Sequence, residues 1–311
     1  MPDRRFDILG ILDAKGLPAP SDDTMAGLLD IVDEGQLGAS NHVTLALSLT
    51  ARIAAGKTET SRDEALVVGE FIAGTRGVAA PIVANALGWQ MAGVADLSGA
   101  EAAELLADRA VRWGAEAKAR RRDLVERAVQ VLAACRIPLI FDYSSTVADI
   151  VLAMAPRLER VLIPESRAID GGRRYLAALS GQGFEIGFLP DGAIDWAVGQ
   201  SDAVLLGAES VSLDGGVLNT IGSISAARAG TAHGVPVYGA ADLFKVGSKT
   251  ARDVPPPGVR SYDFLLRDGE TAGTDAPELE MVPPELVTHL LTEVGPVAPA
   301  DLAAALEQRG A

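Results

Sequence analysis

Cysteine is nearly absent from the sequence, whose 311 residues include one, Cys135. A single cysteine excludes an internal disulfide and a cysteine-rich metal site. The three histidines, His42, His233 and His289, lie far apart in the sequence and show no ligand spacing. The sequence therefore predicts no metal centre, and its cysteine usage is typical of a reducing compartment such as the cytoplasm.

Long apolar runs and a surplus of positive charge are also missing. No apolar run approaches the roughly 18 residues that a membrane span needs, and residues 1–7 lack the apolar stretch of a signal peptide. The formal net charge of −15 disfavours extensive binding to a phosphate backbone. The dense basic cluster at residues 118–122 is flanked by acidic residues, as on the solvated face of a helix. We expect a cytoplasmic protein that binds neither membranes nor nucleic acid.

Familiar cofactor motifs are absent as well. No Gly-x-Gly-x-x-Gly pattern follows a strand-like run, so a dinucleotide site has no support, and there is no P-loop. The Gly-x-Ser-x-Gly elbow of serine hydrolases does not occur either. The sequence therefore predicts no cofactor.

The first part of the chain shows helical patterning with helix-start signals. A serine followed three residues later by an acid, the capping-box pattern, occurs at Ser61 and Ser98. The glycines within residues 74–77 are interpreted as a break between helices. Because the first strand-like run is at residues 137–141, we predict a helical N-terminal domain at residues 1–130 and a second domain at 131–311.

The second domain alternates short apolar runs with turns and helix-length segments between residues 161 and 246. This alternation predicts βαβ units, a mostly parallel sheet and an α/β fold. Ligands of such sheets bind beyond the carboxyl ends of the strands. The predicted strand ends carry polar residues, which we take as candidate site residues: Glu165, Ser166, Arg167, Asp191, Glu209, Asp242 and Lys245.

Two further segments allow specific expectations. After the run at 137–141, Asp142 is followed by Ser144 and Ser145, which either bind an anion at the start of a helix or cap that helix. Residues 262–266 are predicted as a short strand, and residues 284–295 as a last helix.

Short motifs along nearly the whole chain carry a resemblance to one known family. The chain is similar to methylthioribose-1-phosphate isomerase, ribose-1,5-bisphosphate isomerase and the regulatory alpha, beta and delta subunits of the eukaryotic initiation factor 2B exchange complex. The resemblance implies a helical N-terminal domain, a Rossmann-like C-terminal domain and a homodimer or higher homo-oligomer. The motifs that carry it, in order, are Glu165-Ser-Arg, Gly172-Arg-Arg, Gly207-Ala-Glu-Ser-Val, Gly215-Gly-Val-Leu-Asn-Thr-Ile-Gly, Gly234-Val-Pro-Val-Tyr and Phe244-Lys-Val.

The sequence departs from the isomerase pattern at the positions of chemistry. Alignment places Asp142 where the isomerases have a cysteine acid/base, and Glu209 where they have an aspartate. Three further residues of the isomerases are replaced here. Leu37 stands in place of an early arginine, Gly171 in place of a glutamine, and Thr220 in place of a lysine. The residues that match are Arg76, Arg167, Asn219 and Lys245.

The resemblance leaves two functions open. One is isomerisation of a pentose or deoxypentose 1-phosphate, in which Asp142 and Glu209 form an acid/base pair and Arg76, Arg167 or Lys245 holds the phosphate. The ordinary acidity of an aspartic acid predicts an ionised Asp142, with Glu209, if buried against it, remaining protonated. The alternative is a regulatory protein that binds a sugar phosphate or nucleotide without turnover. The site expected between the domains comprises Arg76, Asp142, Ser144, Ser145, Glu165, Arg167, Glu209, Asn219, Asp242 and Lys245.

Overall fold

A computed structural model describes residues 4–33 and 39–310. The chain divides into two compact units, residues 1–119 and 120–311, and the boundary predicted from the sequence lay at residue 130. Leu37 lies outside the described residues. None of the helices in the described ranges is long and apolar enough to cross a membrane.

The first unit is helical where it is described. Thr58 caps the fourth helix by accepting the N–H of Ser61, whose side chain accepts the N–H of Thr58 in return. The capping box therefore begins at Thr58, three residues before Ser61, where the sequence predicted its start. At Ser98 the prediction is confirmed, since Glu101 accepts the backbone N–H of Ser98. The helices are α1 (Arg4–Ala14), α2 (Asp22–Asp33), α3 (Ala39–Ala54), α4 (Glu59–Ala79), α5 (Pro81–Met91) and α6 (Gly99–Val131).

The glycines at positions 74 and 77 do not break a helix, because α4 continues through both. A Cβ atom on Gly77 would lie 2.6 Å from the Cβ of Ala84 on α5. Gly77 therefore allows α4 and α5 to approach closely. The prediction of a break was wrong because the local glycine signal does not distinguish a break from a packing contact.

The second unit is built on a mostly parallel sheet, as predicted. Its strands run in the order β12-β11-β7-β4-β1-β2-β3, and all neighbours are parallel except the antiparallel pair β11 and β12. The strands of this sheet are β1 (Pro138–Phe141), β2 (Arg160–Pro164), β3 (Glu185–Leu189), β4 (Ala203–Leu206), β7 (Val237–Ala240), β11 (His289–Thr292) and β12 (Gly295–Val297).

Side chains from both faces of this sheet are buried. Leu139 and Phe141 of β1 pack in one apolar cluster, whereas Ile140, between them, packs in another. Successive side chains of a strand point to opposite faces, so the two clusters lie on opposite faces of the sheet. This double burial explains why the strands are continuous apolar runs.

Smaller elements complete this unit. An antiparallel sheet contains β10 (Leu279–Val282), β6 (Val217–Thr220) and β5 (Ser210–Val211), and β8 (Val259–Ser261) pairs with β9 (Asp275–Pro277). The helices are α7 (Ser145–Met154), α8 (Gly171–Leu179), α9 (Ile194–Val198), α10 (Ser223–His233) and α11 (Leu302–Gly310).

Two local predictions in this unit were wrong. Residues 284–295 form a short 3-10 turn, Pro284–Leu286, followed by strand β11, and not a helix. Parallel pairing of β11 with β7 buries the apolar side chains of Leu290 and Leu291 in the two clusters. This burial outweighs the local preference for a helix that begins at Pro284. The short strand expected at 262–266 is a 3-10 turn, Asp263–Leu265.

Candidate functional site

The strand order creates a crevice at the carboxyl end of β1. From β1 the chain proceeds to β2 and β3 on one side, whereas β4, β7 and β11 lie on the other. Such a reversal of strand order is where ligands bind in open α/β sheets. The segments that follow β1 and β4 contain Asp142 and Glu209, so the topology brings the two predicted acid/base residues to the crevice.

Asp142 has a buried carboxyl group on an unusual backbone. Its φ angle is 56°, a left-handed conformation that costs a non-glycine residue free energy and is concentrated at functional sites. Its side chain is 5% exposed. Ser166 donates a hydrogen bond from Oγ to Oδ1 of Asp142 (3.2 Å), and Thr220 donates one from Oγ1 to Oδ2 (2.6 Å). Hydroxyl groups from the loop after β2 and from the end of β6 therefore hold the carboxyl group in one orientation.

The environment favours the protonated form of Asp142. Burial raises the pKa of Asp142 above its ordinary value and is the largest influence on it. Hydrogen bonds from Thr220, from the N–H of Tyr143 and from Ser166 lower this pKa, and the negative charge of Glu209 raises it. Burial prevails because a carboxylate loses more hydration than three hydrogen bonds replace.

Glu209 has the opposite environment, because its side chain is exposed. The sequence predicted an ionised Asp142 and a protonated Glu209 on the condition that Glu209 is buried. That condition is not met. The raised pKa of Asp142 is the opposite of the ionised Asp142 expected from the sequence, and it makes Asp142 the candidate proton donor.

Gly171 contacts the carboxyl group of Asp142 at the start of α8. A Cβ atom at position 171 would lie 1.9 Å from Oδ1 of Asp142. Thus Gly171 and Thr220 both contact Asp142, and these are three positions where the sequence is expected to depart from the isomerases. The departures form one connected group, in which the carboxyl group needs both the space left by Gly171 and the hydroxyl group of Thr220.

The loop after β2 is fixed by Asp191, which follows β3. The two carboxylate oxygens of Asp191 accept the backbone N–H groups of Ser166 and Arg167, both at 2.8 Å. Ser166 has a φ angle of 49°. Asp191 therefore holds the strained turn that presents Ser166 to Asp142.

The loops after β4 and β7 are joined near Glu209. Lys245 donates from Nζ to the carbonyl oxygen of Ala208 (2.5 Å), so a cation lies beside the peptide that precedes Glu209. A Cβ atom on Gly207 would lie 2.5 Å from the Cβ of Ser144. The structure thus brings Ser144 against the Glu209 loop at the crevice.

The serines after β1 have structural contacts. Ser144 caps α7, since its Oγ accepts the N–H of Val147 at 3.3 Å, and its own N–H donates to the hydroxyl group of Tyr175 at 3.0 Å. The exposed Ser145 accepts a hydrogen bond from Arg121 at its carbonyl oxygen (2.6 Å). Of the two interpretations left open for this turn, capping is the one observed for Ser144.

The other predicted site residues differ in accessibility. Asn219 is buried and donates to Oγ of Ser223 (3.0 Å), which fixes the turn before α10. Asp242 caps the 3-10 turn Leu243–Lys245, and its Oδ2 lies 3.9 Å from Nε of Arg120. Glu165 is partly exposed and lies 3.8 Å from Nη1 of the exposed Arg167.

The structure gives two further residues discussed from the sequence local contacts of their own. Arg76 is on α4 of the helical unit, where its Nη2 is 3.3 Å from Nδ1 of His42. Cys135 precedes β1 and so belongs to the amino end of that strand, opposite to Asp142. Burial raises the pKa of Cys135 to about 12, which makes its thiol a poor nucleophile.

Sequence reasoning did not select Arg174, and it placed Ser166 and Asp191 at predicted strand ends without giving them a role in the site. The guanidinium group of Arg174 lies 3.9 Å from the ring centroid of Tyr143, a cation–π contact directly beside Asp142. Within the described residues, no group of three or more histidine, cysteine, aspartate or glutamate side chains is placed to hold a metal ion.

Replacing Thr220 by valine is expected to destabilise the protein by about 1–2 kcal/mol, because Asp142 loses a hydrogen bond inside the protein. The bond favours the ionised carboxylate, so its loss raises the pKa of Asp142 further. The destabilisation should therefore grow as the pH rises and Asp142 ionises. Thermal unfolding of Thr220→Val between acidic and alkaline pH measures this, with Thr220→Ser as the control that keeps the hydroxyl group. A loss that does not vary with pH would contradict it.

The fold and the site define an α/β protein with a helical N-terminal unit and a buried ionisable group at the switch point of a mostly parallel sheet. The model of the Initiation factor 2 subunit family matches residues 40–299. The chain belongs to this family.

Its relatives include both enzymes and translation factors. The chain is 27% identical over 318 residues to methylthioribose-1-phosphate isomerase of Anaeromyxobacter sp. (strain K), a match that covers 94% of this chain and 91% of that protein. It is 28% identical over 176 residues to translation initiation factor eIF2B subunit alpha of Dictyostelium discoideum, covering 52% and 54%. The crystal structure of translation initiation factor eIF-2B from Pyrococcus horikoshii OT3 has the same fold, with a TM-score of 0.72, 20% identity and coverage of 90% and 98%.

Proposed function

We propose that the protein is an aldose–ketose isomerase that acts on a pentose or deoxypentose 1-phosphate. The observation that carries the proposal is the burial of Asp142 at the switch point, with a raised pKa, beside the negative charge of the exposed Glu209. Two carboxyl groups in such different environments can serve as acid and base at the same pH. The isomerase relative that matches nearly the whole chain supports the same reaction class.

The chemistry requires four proton transfers, two to the sugar and two from it, which one acid and one base can perform. Protonated Asp142 donates a proton to the ring oxygen as the bond from that oxygen to C1 breaks, which opens the sugar and leaves C1 as an oxocarbenium ion. Glu209 removes the proton from C2 to give the enediol phosphate. Glu209 then returns a proton to C1 while the ionised Asp142 takes the proton of the C2 hydroxyl group, which gives the ketose and restores both residues. The reaction is redox-neutral overall, and a positioned acid and base account for its steps.

The second candidate is a regulatory protein that binds a phosphorylated small molecule without turnover. The observation in its favour is that both oxygens of Asp142 already accept hydroxyl hydrogen bonds, from Ser166 and Thr220. A carboxyl group held in this way can be a structural part of a binding site. The eIF2B subunit alpha of Dictyostelium discoideum, which matches half of the chain, supports this reading. Under either function, we propose that the protein is cytoplasmic and forms a homodimer or a higher homo-oligomer.

A panel of pentose and deoxypentose 1-phosphates, with nucleoside monophosphates beside them, separates the two functions. Ketose formation is measured on each sugar, and the thermal unfolding temperature is measured with every compound, because a bound ligand stabilises the native state. The isomerase proposal expects stabilisation and turnover with at least one sugar 1-phosphate. Stabilisation without turnover at any pH would contradict it and favour the regulatory protein.

A further inference from the structure

A cavity of about 350 Å³ is lined in part by the loop that follows β2. It is partly open to solvent, and it combines two cations with an aromatic ring. The residues that line it are Arg167, Ala168, Ile169, Asp170, Arg260 and Phe264.

The cavity is close to the carboxyl group of Asp142. Residues 167–170 of the β2 loop line the cavity, and the residues on either side of them contact Asp142. Ser166 donates a hydrogen bond to Asp142, and a Cβ atom on Gly171 would have no room beside Asp142. Consecutive Cα atoms are about 3.8 Å apart, so this four-residue loop cannot depart far from the carboxyl group. The cavity is therefore connected to the candidate site by this short loop.

The other wall comes from the segment between β8 and β9. Arg260 is in β8, and Phe264 is in the 3-10 turn that follows it. The guanidinium group of Arg167 lies 5.3 Å from the ring centroid of Phe264, a cation–π contact that restrains Arg167. Phe264 is 50% exposed and lines the cavity.

The charges of the cavity favour an anion. Arg167 lies 3.8 Å from the carboxylate of Glu165, a distance too long for a hydrogen bond, and Arg260 pairs with Glu278 at 3.2 Å. Both arginine side chains are about half exposed, at 54% and 51%, so they can reorient toward a ligand. The acidic lining residue, Asp170, pairs with Nε of Arg173 at 3.1 Å, which offsets its repulsion of an anion.

We infer that this cavity is the phosphate subsite of the candidate active site, where Arg167 and Arg260 bind the phosphomonoester of the sugar. The planar guanidinium group matches a phosphate by two parallel hydrogen bonds, which an ammonium group cannot do. Phe264 holds Arg167 in position for this contact. The inference rests on the proposed function for the identity of the sugar, and it makes the β8–β9 segment a determinant of substrate choice.

The test compares Arg260→Gln with Arg267→Gln by calorimetric titration with ribose 1-phosphate, ribose 5-phosphate, unphosphorylated ribose and inorganic phosphate. Arg267 lies in the same segment, is exposed and does not line the cavity. Arg267→Gln is therefore a control that makes the same change of charge outside the cavity. Loss of a charged hydrogen bond is expected to weaken binding of the sugar phosphates about 10- to 100-fold in Arg260→Gln. Arg267→Gln should bind as the unaltered protein does, and ribose should bind weakly to all three proteins.

Each other outcome has a distinct meaning. Equal affinity of Arg260→Gln and the unaltered protein would overturn the subsite, even if the protein turns over a sugar phosphate. The same holds if none of the phosphorylated compounds binds the unaltered protein. Binding that depends on Arg260 without any turnover would support the subsite and contradict the isomerase proposal. Arg260→Lys adds a further check, because a retained charge without the planar donors should restore only part of the affinity.

Discussion

The Asp142→Asn variant is expected to lose isomerase activity by about 100- to 10,000-fold, the usual contribution of a general acid or base. An asparagine side chain keeps the shape of the aspartic acid but has no proton to give to the ring oxygen. Binding of the sugar phosphate should change little, so the loss should lie in kcat. Steady-state kinetics on the sugar that is turned over measures the loss.

The controls for this prediction are Glu209→Gln and Glu185→Gln. Glu209→Gln removes the proposed proton acceptor and should lose activity by a similar factor. Glu185 is the first residue of β3, at the opposite end of the sheet from Asp142, and is exposed, so Glu185→Gln should keep full activity. Equal activity in Asp142→Asn and the unaltered protein would remove Asp142 from the chemistry.

The pH dependence follows from the direction of the pKa shift. Asp142 donates a proton only while it is protonated, so the rate should fall as the pH rises through its pKa. Because burial raises this pKa, the fall should come at higher pH than for an ordinary aspartic acid.

The same shift predicts that Asp142 destabilises the folded protein at neutral pH. A raised pKa means that the native state holds a proton that the unfolded chain releases, so the stabilisation at low pH is lost as the pH rises. Asp142→Asn should therefore unfold at a higher temperature than the unaltered protein at neutral pH, and the difference should shrink in acid. An Asp142→Asn variant that is less stable at every pH would show that the carboxyl group is needed only for structure.

The Gly171→Ala variant is expected to lose activity as far as Asp142→Asn does and to lose about 1–3 kcal/mol of stability, the usual cost of an added group in a packed site. The added Cβ atom would lie 1.9 Å from Oδ1 of Asp142. The backbone at this point cannot retreat easily, because the N–H groups of Gly171 and Gly172 donate to the carbonyl oxygens of the β2 loop. The carboxyl group of Asp142 must therefore leave its position.

Gly192→Ala is the matched control for this prediction. Gly192 lies in the short turn after β3, and a Cβ atom there would meet nothing within 4 Å, so activity and stability should change little. A double-mutant cycle identifies the cause, because Asp142→Gly suits the φ angle of 56° and removes the carboxyl group that the new methyl group meets. Gly171→Ala should cost less stability in the Asp142→Gly background than alone. Equal costs in the two backgrounds would mean that position 171 does not act through Asp142.

The local pattern of the sequence was sufficient for the architecture of the second unit. Apolar runs of strand length separated by helical segments predicted the mostly parallel sheet, and the order of polar turns placed Asp142, Glu165, Glu209 and Asp242 at the carboxyl ends of strands. This worked because burial on both faces of a parallel sheet imposes the same pattern on every strand. At residues 284–295 the pattern was ambiguous, since a short apolar run fits a helix or a strand until its partner β7 is known.

The sequence by itself determined which polar residues follow the strands of the sheet, because chain order and alternation fix the end of each strand. Only the tertiary structure decided that Asp142 is buried and Glu209 exposed, and that Thr220, Ser166 and Gly171 converge on one carboxyl group. Burial of a turn residue depends on loops that are distant in sequence, and no local periodicity records it. For that reason the two carboxyl groups could be named as a pair from the sequence, whereas their proposed roles as proton donor and acceptor depend on the fold.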